Sequence, residues 1–383
     1  MNVICGCVKP QYFYQCDRWI IPKQYFQREG VFLMSAINQE LINSTLKAWN
    51  FNGAVSVIIN GKNVYITTDG MADFETGCPF STHTTMELAS LSKQFTAVAI
   101  MKMFENGLVD LESKISKYIP KYSHANEITI RHLLNHSSGI PDYTGEIIVP
   151  SALKLLETQC TSANNITTKM KMECMNNLCR AYSIEECLDS VNTLPLHFVP
   201  GEGTAYSNTN YYFLSHIIGK VTGKSYEQYL KEAIFEPLEM FESHASGLLA
   251  KAVGYMMDEE NNRIVCGRHG MDSGDSGVVS TIEDMTKWCE AILNGKLLSK
   301  KSWSECFKLY KERFGFGFRS YGKWLGHNGG MPGIATHERI HLDSKTALIL
   351  MCNLTGCSRI QHGGNWNDFV EELMGNLNFS ESN

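Results

Sequence analysis

The sequence lacks a basic face. Its 34 Lys and Arg are outnumbered by 40 Asp and Glu, for a formal net charge of -6, and the lysines are scattered instead of gathered in a stripe. Without a positive footprint, nucleic-acid binding is disfavoured. A long hydrophobic run is also missing. The best, Thr346 to Leu354, has the length of a strand, whereas a membrane-spanning helix needs about 18 apolar residues or more. Met1 to Tyr14 holds no sustained apolar stretch followed by a small-residue cleavage site, so a cytoplasmic location is expected. No internal repeat is visible. The thirteen cysteines are odd in number and form no compact framework, so reduced thiols are expected. Cys174, Cys179 and Cys187 lie close together, but no Cys-x-x-Cys pair or matched His pair accompanies them, and no metal is expected. Sequons at Asn43 and Asn165 carry little weight without a secretion signal.

What is present suits a globular enzyme. Apolar residues make up 43% and charged residues 19%, which excludes the disordered class, and the length suffices for one large domain or two packed ones. Residues 1–35 show no clear period and read as an appended segment; the main domain is expected over 36–378.

Ile37, Leu41, Ile42, Leu46 and Trp49 recur at helical spacing and predict an amphipathic helix. Ala54 to Ile59 and Val64 to Thr67 flank Asn60-Gly61, the signature of a hairpin with a type I′ turn. Ser90 to Asn106 predicts a long, apolar, buried helix closed by Gly107. Residues 144–195 have weak periodicity and read as a variable, mostly helical insertion near a cleft. Ile334 to His341 and Ala347 to Asn353 predict a second hairpin, followed by a helix from about Trp366 to Leu377. Strands at both chain ends with helices between them point to an α+β fold: an antiparallel sheet built from both ends, flanked by helices, beside a mostly helical subdomain.

Three stretches carry chemistry. In Ser90-Leu91-Ser92-Lys93 the i, i+3 spacing sets a hydroxyl and an amine on one helical face. A lysine can activate a serine only if its pKa is lowered, and the apolar helix offers the desolvation that does so. Ser44-Thr45-Leu46-Lys47 matches the same pattern but sits on the amphipathic N-terminal helix, where a solvated face is the expectation. Downstream, Pro200 to Tyr211 includes turn-forming glycines that would present Tyr206 and Asn208 on an exposed loop before a helix starting near Tyr212. A phenol near cations can have a depressed pKa and act as general base or acid, and the Asn amide can donate to a substrate carbonyl. Finally, Gly326-His327-Asn328-Gly329-Gly330 precedes the C-terminal hairpin, with glycines that let backbone N–H groups reach a ligand. His362-Gly363-Gly364 repeats the outline but reads as loop and cap.

Taken in order, Ser90-x-x-Lys93, Tyr206-Ser207-Asn208 and His327-Asn328-Gly329 resemble the three active-site motifs of the class C β-lactamase and penicillin-binding-protein superfamily. Ile128 to Pro141, Gly274 to Gly277 and Ser280 to Met285 extend the likeness over about 38–375. The resemblance implies a β-lactamase/transpeptidase-like fold and a serine hydrolase acting on an ester or amide, such as a D-Ala-D-Ala-type peptide, a β-lactam or a small ester. It implies Ser90 as the acylated nucleophile, Lys93 as its activating partner and Tyr206 as proton shuttle. Asn208 would orient a substrate amide, and the N–H groups of Ser90 and Gly330 would form the oxyanion hole. Asn328 and Gly329 complete the expected substrate-binding set with His327. His327 stands where class C β-lactamases have Lys, as in carboxypeptidase, D-aminopeptidase and esterase branches, so recognition of a substrate carboxylate is not implied. The partner expected is a small-molecule or peptide substrate, with no cofactor. The alternative is a catalytically silent or penicillin-binding relative that serves as a binding protein.

Overall fold

The structure is a computed structural model that describes residues 38–159, 167–258, 260–356 and 366–377. The segment 1–35, Ile37, the Asn165 sequon and His362-Gly363-Gly364 lie outside the described residues.

The strands that place the site are β1 (Gly53–Ile59), β2 (Lys62–Asp69), β3 (Gly254–Met257), β4 (Arg263–Gly267), β5 (Arg319–Tyr321), β6 (Trp324–Gly326), β7 (Asn328–Met331), β8 (Ile334–His341), β9 (Thr346–Cys352) and β10 (Leu354–Thr355). The helices are α1 (Gln39–Ala48), α2 (Ser92–Glu105), α3 (Val149–Gln159), α4 (Thr168–Leu178), α5 (Ile184–Val191), α6 (Asn208–Thr222), α7 (Ile282–Leu293) and α8 (Trp366–Asn376).

Among the described residues the main sheet runs β2-β1-β9-β8-β6-β5, with β7 also paired to β8. Every pairing in it is antiparallel, and β1 lies against β9 with Gly53 opposite Cys352 and Ile58 opposite Ala347. Both chain ends therefore build one sheet. Asn60 (φ 54°) and Gly61 (φ 72°) make the left-handed pair that a type I′ turn requires.

Both faces of the central strands are covered, which is why their sequences read as nearly unbroken apolar runs. Val55, Val57, Leu348 and Leu350 point toward α1 and α8, joining Ile42, Leu46, Phe369 and Leu373. Ala54, Ile58, Ile349 and Met351 point the other way, into the core that contains Met285, Trp288 and Phe95. A one-residue slip would exchange the two sets, so the two layers of helices fix the register. Leu41, expected on the buried stripe of α1, faces solvent instead.

Two helix starts differ from expectation. Ser90 precedes α2 and sits in the tight turn Ala89–Leu91; the regular helix begins at Ser92. Its entry is bent because Ala89 is left-handed, at φ 50°. Conversely, α6 begins at Asn208 and not near Tyr212, with Ser207 as its N-cap residue. Its polar first turn is held by the loop before Tyr143. Thr209 Oγ1 donates to Pro141 O at 2.7 Å, and Ser138 Oγ donates to Asn210 Oδ1 at 2.6 Å. Local propensity takes no account of such contacts. Residues 144–195 supply α3, α4 and α5. No helix among the described residues is long and apolar enough to cross a membrane.

Candidate active site

Lys93, on the first turn of α2, is fully buried. Its Nζ is 3.1 Å from Ser90 Oγ, 2.8 Å from Asn208 Oδ1 and 2.7 Å from the Asp275 carbonyl oxygen. The last two oxygens can only accept. In a neutral amine they consume both hydrogens, which leaves the lone pair for Ser90. Burial pushes the amine down to about 8, opposed by the charges of Asp275 and Asp142.

On the other side of Ser90, the Tyr206 hydroxyl donates to Oγ at 2.8 Å. Burial holds this phenol well above its ordinary pKa, and the hydrogen bond to Ser90 only partly offsets that. The depressed pKa considered from the sequence is thus reversed, because desolvation, joined by the charges of Asp142 and Asp275, outweighs the hydrogen bond to Ser90. With Lys93 charged, Nζ and the phenol both donate to Ser90 Oγ; once the amine is neutral, the serine hydroxyl can turn to donate to it while the phenol still donates to the serine oxygen.

Asn208 is fully engaged. Its Nδ2 donates to Asp142 Oδ2 at 2.9 Å and to Thr144 Oγ1 at 2.9 Å, while Oδ1 holds Lys93. Both amide hydrogens are committed within the protein, so in this arrangement Asn208 orients the lysine.

His327 packs near Tyr206, with ring centroids 6.0 Å apart. It is buried, and burial followed by the Lys93 charge pushes its pKa down to about 3. The imidazole is neutral. Nδ1 lies 2.7 Å from the Asn328 carbonyl, an acceptor, so the ring hydrogen resides on Nδ1 and Nε2 is bare. Asn328 Oδ1 accepts from Arg339 Nη1 at 2.7 Å. Gly329 packs directly on the turn before Ser90: a Cβ there would come within 2.1 Å of Leu88 O and 2.3 Å of Thr336 Oγ1. Gly330 has open space in front of it.

Ser90, Asn208, Asn328, Gly329 and Gly330 border one cavity of about 590 Å³. Ser44 is remote from it, exposed on α1 with its hydroxyl bonded to Leu41 O at 2.9 Å. Among the described residues no group of three or more His, Cys, Asp or Glu is arranged to hold a metal ion. Sequence reasoning missed three contributors: Asp142 and Thr144, which hold Asn208, and Asp275, which meets Lys93 through its backbone. A backbone carbonyl leaves no side-chain signal, although Asp275 lies in a stretch singled out by resemblance.

The family model described as Beta-lactamase matches residues 41–368. The chain belongs to the Beta-lactamase family. Penicillin-binding protein 4* of Bacillus subtilis (strain 168) is 29% identical over 345 residues, covering 82% of this chain and 71% of that protein. A putative penicillin-binding protein of the same organism is 26% identical, covering 88% and 78%. The fold is β-lactamase/transpeptidase-like. The crystal structure of a penicillin-binding protein from Bacillus halodurans superposes with a TM-score of 0.70 at 21% identity, over 87% of this chain and 98% of that one. The D-amino acid amidase from Ochrobactrum anthropi SV3, complexed with D-phenylalanine, gives 0.70 at 22% identity over 90% and 99%.

Proposed function

We propose that this Beta-lactamase-family protein is a serine acyl-transfer hydrolase that cleaves an ester or amide through a Ser90 acyl-enzyme. The observation that carries the reading is the convergence of Lys93 Nζ and Tyr206 OH on Ser90 Oγ, at 3.1 and 2.8 Å. With a pKa of about 8, roughly a tenth of Lys93 is a free amine at pH 7. That amine takes the serine proton as Oγ attacks the substrate carbonyl carbon. The oxyanion is met by the N–H groups of Ser90 and Gly330. As the tetrahedral intermediate collapses, Tyr206 gives its proton to the leaving group, and the Lys93 ammonium, 4.9 Å from the phenol ring centroid, balances the phenolate. Water then gives a proton to Tyr206 and its hydroxyl to the acyl carbon. Ser90 leaves with the proton held by Lys93, which restores the starting state.

Support for a hydrolase also comes from the amidase and penicillin-binding proteins that share the fold. A neutral His327 supplies no cation for a substrate carboxylate, which favours esters and amides without a free carboxylate over carboxylate-bearing β-lactams and free C-terminal peptides. A fluorophosphonate probe is expected to label the wild type and not Ser90→Ala. Absence of labelling on folded protein, or equal labelling of the variant, would overturn the proposal. A burst of product without steady turnover would instead favour the penicillin-binding alternative.

A further inference from the structure

The wall of the cavity beside Ser90 is unusual in its chemistry. Met172, Met175 and Leu178 reach it from α4, Met256 from β3, Met331 from β7, and Met271 from the chain between β4 and α7. No lysine or arginine is among its lining residues. Its two titratable members near the catalytic residues bring no positive charge. The Asp275 carboxyl is buried and accepts from Ser273 Oγ at 2.6 Å and Ser276 Oγ at 3.1 Å, and burial holds the His337 ring neutral, with a pKa of about 3.

The wall includes Ser90 and Asn208 but neither Tyr206 nor His327. That asymmetry assigns the two halves of a substrate. The leaving group must take its proton from Tyr206, so it departs on the tyrosine side. The part that remains bonded to Ser90 occupies the other side, where the cavity is.

We propose that this cavity is an acyl-binding pocket for a neutral, apolar acyl group, so that the substrates are esters or amides of hydrophobic carboxylic acids. The inference rests on the Ser90 acyl-transfer reading and specifies its substrate class. A volume of about 590 Å³ lies within the roughly 300–1,000 Å³ usual for small-molecule sites. Thioethers are flexible and polarizable, so a methionine wall adapts to chains of different length instead of selecting one shape. An anionic acyl tail would find no cation there and would lose its hydration without compensation.

The test compares p-nitrophenyl acetate, butyrate and octanoate with the p-nitrophenyl monoester of suberic acid, which has the length of octanoate but ends in a carboxylate. Apolar burial gives roughly two- to fourfold in kcat/KM per methylene, so over six methylenes octanoate is expected to exceed acetate by at least roughly sixtyfold. The suberate monoester is expected to fall at least roughly tenfold below octanoate. Met175→Glu should cut the octanoate-to-acetate ratio at least tenfold, whereas Met175→Leu should keep it; Leu178→Glu replaces Met175→Glu if that variant does not fold. A flat chain-length series that still depends on Ser90, or a ratio unmoved by a folded charged variant, overturns the acyl pocket and leaves the hydrolase reading standing. No turnover of any ester together with no labelling of Ser90 overturns both.

Discussion

Lys93 and Asp275 meet through a backbone carbonyl, with Nζ donating to Asp275 O at 2.7 Å, a shorter contact than the 3.1 Å from Nζ to Ser90 Oγ. Together with Asn208 Oδ1 it occupies the hydrogens of the neutral amine and aims the lone pair at the serine. The kcat/KM of an ester is therefore expected to rise with pH and level off above an inflection near 8, where Lys93 loses its proton. Lys93→Arg keeps a cation but no base at these pH values, and its expected loss is about a thousandfold. A flat profile from pH 6 to 9 would remove Lys93 from the base role.

Tyr206 stays protonated in the free enzyme, so Tyr206→Phe removes a proton donor. The expected defect depends on the leaving group. In single-turnover acylation of Ser90 an amide or alkyl ester should lose roughly 10²- to 10⁴-fold in rate, while a p-nitrophenyl ester, whose leaving group needs no proton, should lose far less; deacylation, in which water gives its proton to Tyr206, should slow for both. Equal losses of acylation rate on both classes would contradict the assignment.

Gly329 and Gly330 are adjacent but differ in kind. Gly329→Ala places a methyl group 2.1 Å from Leu88 O and forces β7 away from the turn that carries Ser90. A stability loss of about 1–3 kcal/mol is expected, with the hydrolysis rate falling more steeply. Gly330→Ala meets no atom within 4 Å, and its stability should change by no more than about 0.5 kcal/mol. Thermal melts of the two variants check the contrast.

Glu338, on β8, is buried with its carboxylate accepting from Gln94 Nε2 and from Cys289 Sγ. Burial pushes its pKa up to about 7 from an ordinary 4.5. Because the folded state binds the proton more tightly than the unfolded chain, this group's contribution is full below pH 4.5. It is lost as pH rises through 7, by about 3 kcal/mol. Glu338→Gln should flatten the dependence of melting temperature on pH between 5 and 8. A wild-type curve already flat in that window would show that Glu338 ionises normally.

Much of the fold was legible because the signals are local. Asn60-Gly61 marks its turn by backbone chemistry, and the two hairpins and the terminal helix were readable from period and turn residues. The start of α6 was not, since Thr209 and Asn210 are held by partners some seventy residues earlier. At the site, spacing brings Ser90 and Lys93 together within one helical turn, but the contact of Tyr206 with Ser90 spans 116 positions and rested on resemblance alone. The direction of the Tyr206 shift was beyond reach for a related reason: it depends on how much water the ring loses, and that quantity exists only after folding.

The pairing of β1 with β9 joins residues nearly 300 positions apart, and β7, which carries Gly330, hangs from β8 beside it. A growing polypeptide can form α2 and expose Ser90 early, yet Gly330, the proposed oxyanion donor on β7, and the strands that brace it arrive only when almost the whole described chain has been made. Long-range pairing of this kind is slow to form. Under the proposed mechanism, Ser90 is thereby kept without its full surroundings until synthesis is nearly over. Loss of the last hairpin would then silence the chemistry along with the fold, so labelling of Ser90 doubles as a readout of a completed, correctly folded molecule.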